Sequence, residues 1–352
     1  MLKYVFQELV RRPLGALCLG LLGLMYACTL FSQFLAPYQP TDQDLEKAYH
    51  PPTRIVLKDW RPQVQVYEQV DAASARYKAV KGESVPLHFF APGEKYHFWG
   101  LIPAKMRLFQ VQKPHRVYLL GSDGTGRDVF SRLLYGAQVS LSIGFIGICI
   151  TMTLGFVVGG VAGYFGGRAD FLAMRLVEFV IAIPSLYLLI ALRGALAEHF
   201  EPEHMYVVIV IILSLIGWAG AARIIRGMAL SLRQRPFVLA AEVMGQSSWK
   251  ILVRHFLPNL ASYLLVAATL SIPAYILAEA SLSFLGLGIQ EPGTSWGLML
   301  KQAQELKVFT LNLWWLFSPG AAIFITVITF NVLGDVLRDV VDPRQQMERT
   351  GT

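Results

Sequence analysis

Six stretches of the chain are apolar for long enough to cross a bilayer, whose ~30 Å hydrocarbon core takes roughly 20 residues of helix. They are Leu14–Leu35, Val139–Tyr164, Phe171–Leu192, Met205–Ala222, Leu260–Phe284 and Trp314–Val336. The first outruns a signal-peptide core, and Phe34-Leu35-Ala36-Pro37 offers no A-x-A cleavage site, so it is expected to stay as an uncleaved first span. Between the first two stretches the pattern changes. From Pro37 to Gly136 prolines recur at 51, 52, 62, 86, 92, 103 and 114, and short alternating runs appear, such as Tyr96-His97-Phe98-Trp99 and Met106–Val111. That alternation predicts a small strand-rich insert. The expected architecture is an all-α integral membrane protein of six transmembrane helices, interrupted by that insert.

Composition supports the class. The 352 residues are 54% hydrophobic and 16% charged, with no repeat or low-complexity tract. A soluble domain carries about 25% charge. The net charge of +7 invites a nucleic-acid reading, but the placement of the basic residues excludes it. With the N-terminus inside, inner segments hold fourteen Lys and Arg and the short outer loops only Arg193, Lys301 and Lys307. This bias predicts both termini in the cytoplasm and the insert outside. Cys18, Cys28 and Cys149 all lie in apolar runs, which rules out a disulfide framework or a C-x-x-C metal site.

The longest inner loop is Arg233–His255. Pro236 can start a helix running through Phe237–Met244 to Gly245, a helix stop. Ser247 or Ser248 can cap a second helix, Trp249–Phe256, ending before Pro258. A helix–turn–helix whose Ala240 and Ala241 expose little side chain fits a partner's groove. The plain structural alternative is an interfacial amphipathic linker.

The spacing Ala240-Ala241-x-x-x-Gly245, followed by Leu257-Pro258, resembles the "EAA" loop of permease subunits in ABC importers. The ending Arg254-His255-Phe256-Leu257-Pro258-Asn259 is similar to the dipeptide/oligopeptide/nickel branch. Further blocks agree in order: Gly121-Ser122-Asp123-Gly124-Thr125-Gly126-Arg127-Asp128, Gly163-Tyr164-Phe165-Gly166-Gly167, Ala182-Ile183-Pro184, Glu279–Gly288, Pro292–Gly297 and Leu337–Arg344. Together they cover roughly residues 120–344. Six spans with a large loop after the first resemble the C-type permease of the pair and imply the type I importer fold. In this sequence Leu239 stands where the family motif has its Glu, with Glu242 three residues on, and the insert exceeds that of many relatives.

The resemblance implies a passive transport subunit, not an enzyme, in a bacterial or archaeal plasma (inner) membrane. Its implied partners are a second permease, two cytoplasmic ATPases, an extracytoplasmic binding protein and membrane lipid. This chain would hold no cofactor, since ATP and magnesium would sit on the ATPases. The ATPase-coupling residues it implies are Leu239, Ala240, Ala241, Glu242, Gly245, Gln246, Ser247, His255, Leu257 and Pro258. The divisions follow: a first helix to residue 36, an insert and lead-in at 37–136, a core at 137–340 with coupling loop 233–257, and a tail at 341–352. Peptides are the expected cargo, with nickel or another small solute as the alternative. The insert is expected to meet the binding protein or the second permease.

Other motifs are weaker. Gly121–Asp128 nearly matches a phosphate loop, but Asp128 puts a negative charge where phosphate would sit. It is also a poor Ca²⁺ loop, and reads better as a glycine-rich lead into span two. His199-Phe200-Glu201-Pro202-Glu203-His204 has neither zinc-protease spacing, and Ser281 and Ser283 lack a nucleophile-elbow setting. Glu178, Glu279 and Asp335 lie near span ends, too few for a proton relay and placed like interfacial or subunit-contact residues. Pro184, Pro273 and Pro319 fall inside spans and can loosen them, so Pro184, Pro273, Glu279 and Ser283 are the gate or pathway candidates. A secondary transporter would need a charged midplane site and inverted repeats, and a membrane hydrolase a nucleophile or metal set. The sequence displays none of these.

Overall fold

In a computed structural model, residues 2–58, 60–71, 74–98, 102–197, 200 and 204–341 are described. Most of the His199–His204 loop and the tail from Asp342, with the Pro343-Arg344 end of the last motif, lie outside the described residues.

Helix α1 (Leu2–Arg11) leads into α2 (Pro13–Leu30) and the single turn α3 (Ser32–Leu35). The insert is an antiparallel sheet in the order β1 (Ile55–Lys58), β2 (Arg61–Asp71), β3 (Arg76–Phe98), β4 (Ile102–Val111). Irregular register beside Pro92, between Pro92 and Tyr96, lets the long β3 continue past a residue that cannot donate to a ladder. Then come α4 (Val129–Phe165), α5 (Gly167–Ala182), α6 (Ser185–Ala197), α7 (Met205–Arg233), α8 (Pro236–Val243), α9 (Ser248–Ile251) and α10 (Leu257–Phe284). The chain continues with α11 (Trp296–Ala303), α12 (Leu306–Thr310) and α13 (Ser318–Val341).

Among the described residues five helices are long and apolar enough to cross a membrane: α2, α4, α7, Ser248–Phe284 and Trp314–Val341. A sixth exists only if α5 and α6 are taken together, and that pair is bent by 95°. The expected third span, Phe171–Leu192, is therefore not one straight helix. Ile183 is extended (φ −85°, ψ 124°), because the ring of Pro184 pushes the residue before it out of the helical region. The other two prolines behave differently. Helix α10 runs unbroken through Pro273, and Pro319 is the second residue of α13, where no backbone donor is missed.

Helix α4 starts at Val129 rather than near Val139. Asp128 caps it, its carboxylate accepting from the Ser131 N–H (2.8 Å) and hydroxyl (2.6 Å).

The chain forms two compact units, one of Met1–Leu22, Ser142–Ala278 and Thr326–Thr352, the other of Gly23–Leu141 and Glu279–Ile325. In the first, α4 approaches α7 along a glycine row. A Cβ at Gly159 would sit 2.3 Å from the Ala222 carbonyl oxygen, and one at Gly163 would sit 2.5 Å from the Ala229 Cβ. Small residues four apart let two backbones close, which in lipid replaces the missing hydrophobic drive for helix pairing. In the second unit the sheet packs Val64, Leu87, Phe109 and Val111 against Tyr38 and Val117.

Candidate functional site

The loop joining α7 to α10 is the helix–turn–helix expected from its sequence. Arg235 is extended and Pro236 opens α8, as suits a residue with fixed φ and no donor to satisfy. The turn closes with Gly245 N–H donating to Glu242 (2.9 Å) and Gln246 N–H to Ala241 (3.1 Å). Gly245 has φ +70° with open space where a Cβ would point, so backbone conformation alone selects glycine.

Past the turn, Ser247 occupies the cap position of α9, but its hydroxyl makes no capping bond. The expected second helix, Trp249–Phe256, does not stop before Pro258. It continues through a π-helical turn, Leu252–Phe256, into α10. There the Leu257 N–H reaches back to the Leu252 carbonyl, five residues earlier. The extra residue resets the ladder, so the missing donor of Pro258 falls where the helix can absorb it.

Two faces result. Inward, Val238, Ala241, Ile251, Leu252, Phe256 and Leu260 are buried against Phe156, Tyr164, Ala221, Ile225 and Ala229. The Tyr164 and Phe256 rings meet edge-on at 5.7 Å. Outward, Val243 is 89% exposed, Met244 70%, Trp249 60% and Leu239 48%, with Ala240 also exposed. A His255 ring nitrogen and the Gln246 side-chain oxygen clasp the two arms at 3.1 Å. The coupling candidates thus come together, with Ala241 in the core and Leu239, Ala240 and Glu242 outside. Leu257 and Pro258 are exposed at the start of α10.

The pathway candidates are divided between the two units. Pro184 is exposed and Pro273 buried, both in the first unit. In the second unit Glu279 and Ser283, both fully buried, make a knot. The Glu279 carboxylate accepts from Ser283 (2.7 Å) and Ser140 (3.0 Å), while Ser283 accepts the Ile289 N–H (2.9 Å) and Ser140 the Trp296 N–H (3.2 Å). Glu279 therefore does not sit at a lipid or solvent interface as its place near a span end implied. It fastens the segment after α10 back onto α4. Glu178, by contrast, is exposed and pairs with Arg175 at 2.9 Å.

The glycine-rich lead is filled by its own carboxylate. Asp123 accepts from the N–H groups of Thr125 and Arg127 and from the Thr125 hydroxyl, and pairs with Arg127 (2.8 Å) and Arg132. Glu291 closes the network on Arg127 at 2.8 Å and Arg132 at 3.3 Å. Burial pushes the Asp123 carboxyl up, but the two guanidinium groups and the N–H donors outweigh it and hold it below its ordinary value. The buried Asp128, short of such cations, is pushed up to about 7. Among the described residues no three of His, Cys, Asp and Glu come together as a metal site.

Sequence reasoning missed this network, although Asp123 and Arg127 stand one helical turn apart. It also missed the row Gly155, Gly159, Gly163, whose four-residue spacing was available as a signal.

The described residues thus combine helices apolar enough to cross a membrane with a short, clasped helical loop whose outer face is apolar and exposed. Residues 155–347 match the family described as binding-protein-dependent transport system inner membrane component. Residues 1–52 match the N-terminal TM domain of oligopeptide transport permease C. The dipeptide transport system permease protein DppC of Bacillus subtilis is 40% identical over 232 residues, 66% of this chain and 70% of that protein. The oligopeptide transport system permease protein OppC of the same organism is 38% identical over 66% of this chain and 73% of its own length. The OppC of Haemophilus influenzae is 37% identical over 65% and 71%. The chain belongs to the binding-protein-dependent inner-membrane permease family. It is a multi-pass transport subunit rather than an enzyme, and membership implies work in a complex with ATPase subunits, a substrate-binding protein and a second permease.

Proposed function

We propose that the chain is the C-type permease of an ATP-driven importer of dipeptides or oligopeptides, lining the path together with a second permease. The cargo follows from the kinds of relatives it resembles, named for dipeptide and oligopeptide transport. In this reading α5 and α6 form one broken span, giving six crossings. The bias of basic residues puts both termini and the α8–α9 loop in the cytoplasm and the insert outside. The divisions at residues 36, 136 and 340 then separate first helix, insert, core and tail.

One observation carries the coupling role: the α8–α9 loop has a buried inner face and an unpartnered apolar outer face. Leu239, Ala240, Glu242 and Gly245 would meet an ATPase groove, with Leu239 offering an apolar contact where the family motif has Glu. Ala241, Gln246, Ser247, His255, Leu257 and Pro258 would transmit the push to α10. ATP binding would close the ATPases and favour one tilt of the spans over another, the difference in contact between the two states supplying the energy. Nucleotide and magnesium would stay on the ATPases. Pro184 would supply a break in the path-lining helices, and Pro273, Glu279 and Ser283 would hold the helices beside the path.

Uptake in proteoliposomes holding the full complex tests this reading. Labelled dipeptide should enter only with binding protein and ATP present. Uptake driven by a proton or sodium gradient without ATP would overturn it, and uptake of nickel but not peptide would move the cargo to the other branch.

A further inference from the structure

Helix α2 has 18 residues, which at 1.5 Å each span about 27 Å, close to the hydrocarbon thickness of a bilayer. Phe31 and Phe34 follow it directly, at the height where chain leaves lipid. Two rings of the insert pack there: Phe98 lies 5.9 Å from Phe31, and Phe90 lies 6.1 Å from Phe34.

The height is fixed by an arginine. Arg107 of β4, fully buried, donates to the carbonyls of Gln33 (2.8 Å) and Ala36 (2.7 Å), acceptors that the end of a helix leaves open. Its guanidinium lies 4.7 Å over the Tyr96 ring. The hairpin of β3 and β4 is thereby tied to the point where α2 leaves the membrane.

That hairpin exposes apolar side chains which nothing in the insert covers. Phe90 is 62% exposed, Ile102 60% and Met106 54%, and Lys95 and Lys105 are exposed in the same hairpin, Lys105 on the other face of β4 from Ile102 and Met106. Aromatic and aliphatic groups with adjacent lysines suit the boundary between acyl chains and phosphates, where rings settle and ammonium groups reach headgroups. A water-facing hairpin gains nothing from such a surface.

We propose that the β3–β4 hairpin is a lipid-contacting element, with Phe90, Ile102 and Met106 in the interfacial layer of the bilayer and Lys95 and Lys105 at the lipid phosphates. The insert then rests on the membrane on one side, leaving β1 and β2 for protein partners.

The test is made on the assembled complex in nanodiscs of phosphatidylethanolamine and phosphatidylglycerol. Cys18, Cys28 and Cys149 are replaced by Ala, and a bimane probe is attached at Ile102→Cys, at Met106→Cys, or at Lys81→Cys as a water-facing comparison. The probes at 102 and 106 should be quenched by lipids carrying a shallow nitroxide, and several-fold less than the probe at 81 by aqueous iodide. Iodide quenching at 102 and 106 equal to that at 81 would overturn the proposal. So would protection from both quenchers, which would mean that a protein partner covers the hairpin. Two label positions guard against one variant disturbing the turn.

Discussion

The α8–α9 loop and the Asp123 network are both built around a glycine-bearing turn, yet they are held by opposite means. The loop has an inner face of Val238, Ala241, Ile251 and Phe256, with no ion pair among them, and an outer face that is apolar and open. The network buries Asp123, Arg127 and Arg132 and leaves only Glu291 half exposed. Apolar packing tolerates sliding, because no single geometry is required of it. Buried ions do not, since removing one partner strands the other charge. The contrast fits the proposed division of labour, in which the loop takes the push and the network stays fixed.

Breaking the fixed region should cost most. Asp123→Ala leaves two buried guanidinium groups with only the half-exposed Glu291 to pair them and should destabilise the complex by about 3–5 kcal/mol, read as thermal unfolding in detergent. The same group sets a pH dependence. Its carboxyl is held below the ordinary value, so its stabilisation is present above that value and is lost as pH falls through the folded-state pKa. The variant should lose this acid sensitivity.

Next comes the helix contact under the loop. Gly159→Ala forces a methyl toward the Ala222 carbonyl and should cost about 1–3 kcal/mol, whereas Gly160→Ala, with no contact closer than 3.6 Å, should change little. Equal thermal shifts for both would remove the glycine row from the account.

In the loop itself, Gly245→Ala meets no neighbour but must hold φ +70°, for about 1 kcal/mol. Its larger effect should be functional: membrane insertion intact, with stimulated ATP hydrolysis uncoupled from peptide uptake. The last effect shows only as a pH dependence, at Asp128, whose carboxyl is pushed up to about 7. A raised pKa favours folding below the unfolded value and loses that contribution as pH rises toward 7. Asp128→Asn keeps a capping side chain, so it should flatten the stability profile between about pH 4 and 7 and be the more stable protein above it.

The parts of this molecule legible from sequence are those set by local rules. Apolar runs placed α2, α4, α7, α10 and α13, and alternation with prolines placed the sheet. Pro236 and Gly245 marked the first arm of the loop and its turn. The misreadings arose where two local signals compete. Pro258 reads as a stop, but a π turn carries the helix past it. The run Phe171–Leu192 reads as continuous because apolarity is blind to the bend that Pro184 imposes. Asp128 with Ser131 was a readable cap and would have put the start of α4 at Val129. The knot of Glu279 was beyond local reading, because Ser140 lies 139 residues away and only the folded chain brings it near.

The proposed coupling depends on the open face of the loop. The double variant Val243→Asp, Met244→Asp changes two exposed side chains and leaves the buried inner face untouched. With the purified permease pair in nanodiscs, binding of the ATPase subunits should fall at least tenfold while thermal unfolding of the pair stays within a degree or so of the parent, as expected for surface substitutions. Unchanged ATPase affinity and unchanged peptide uptake would contradict the claim that this face receives the drive.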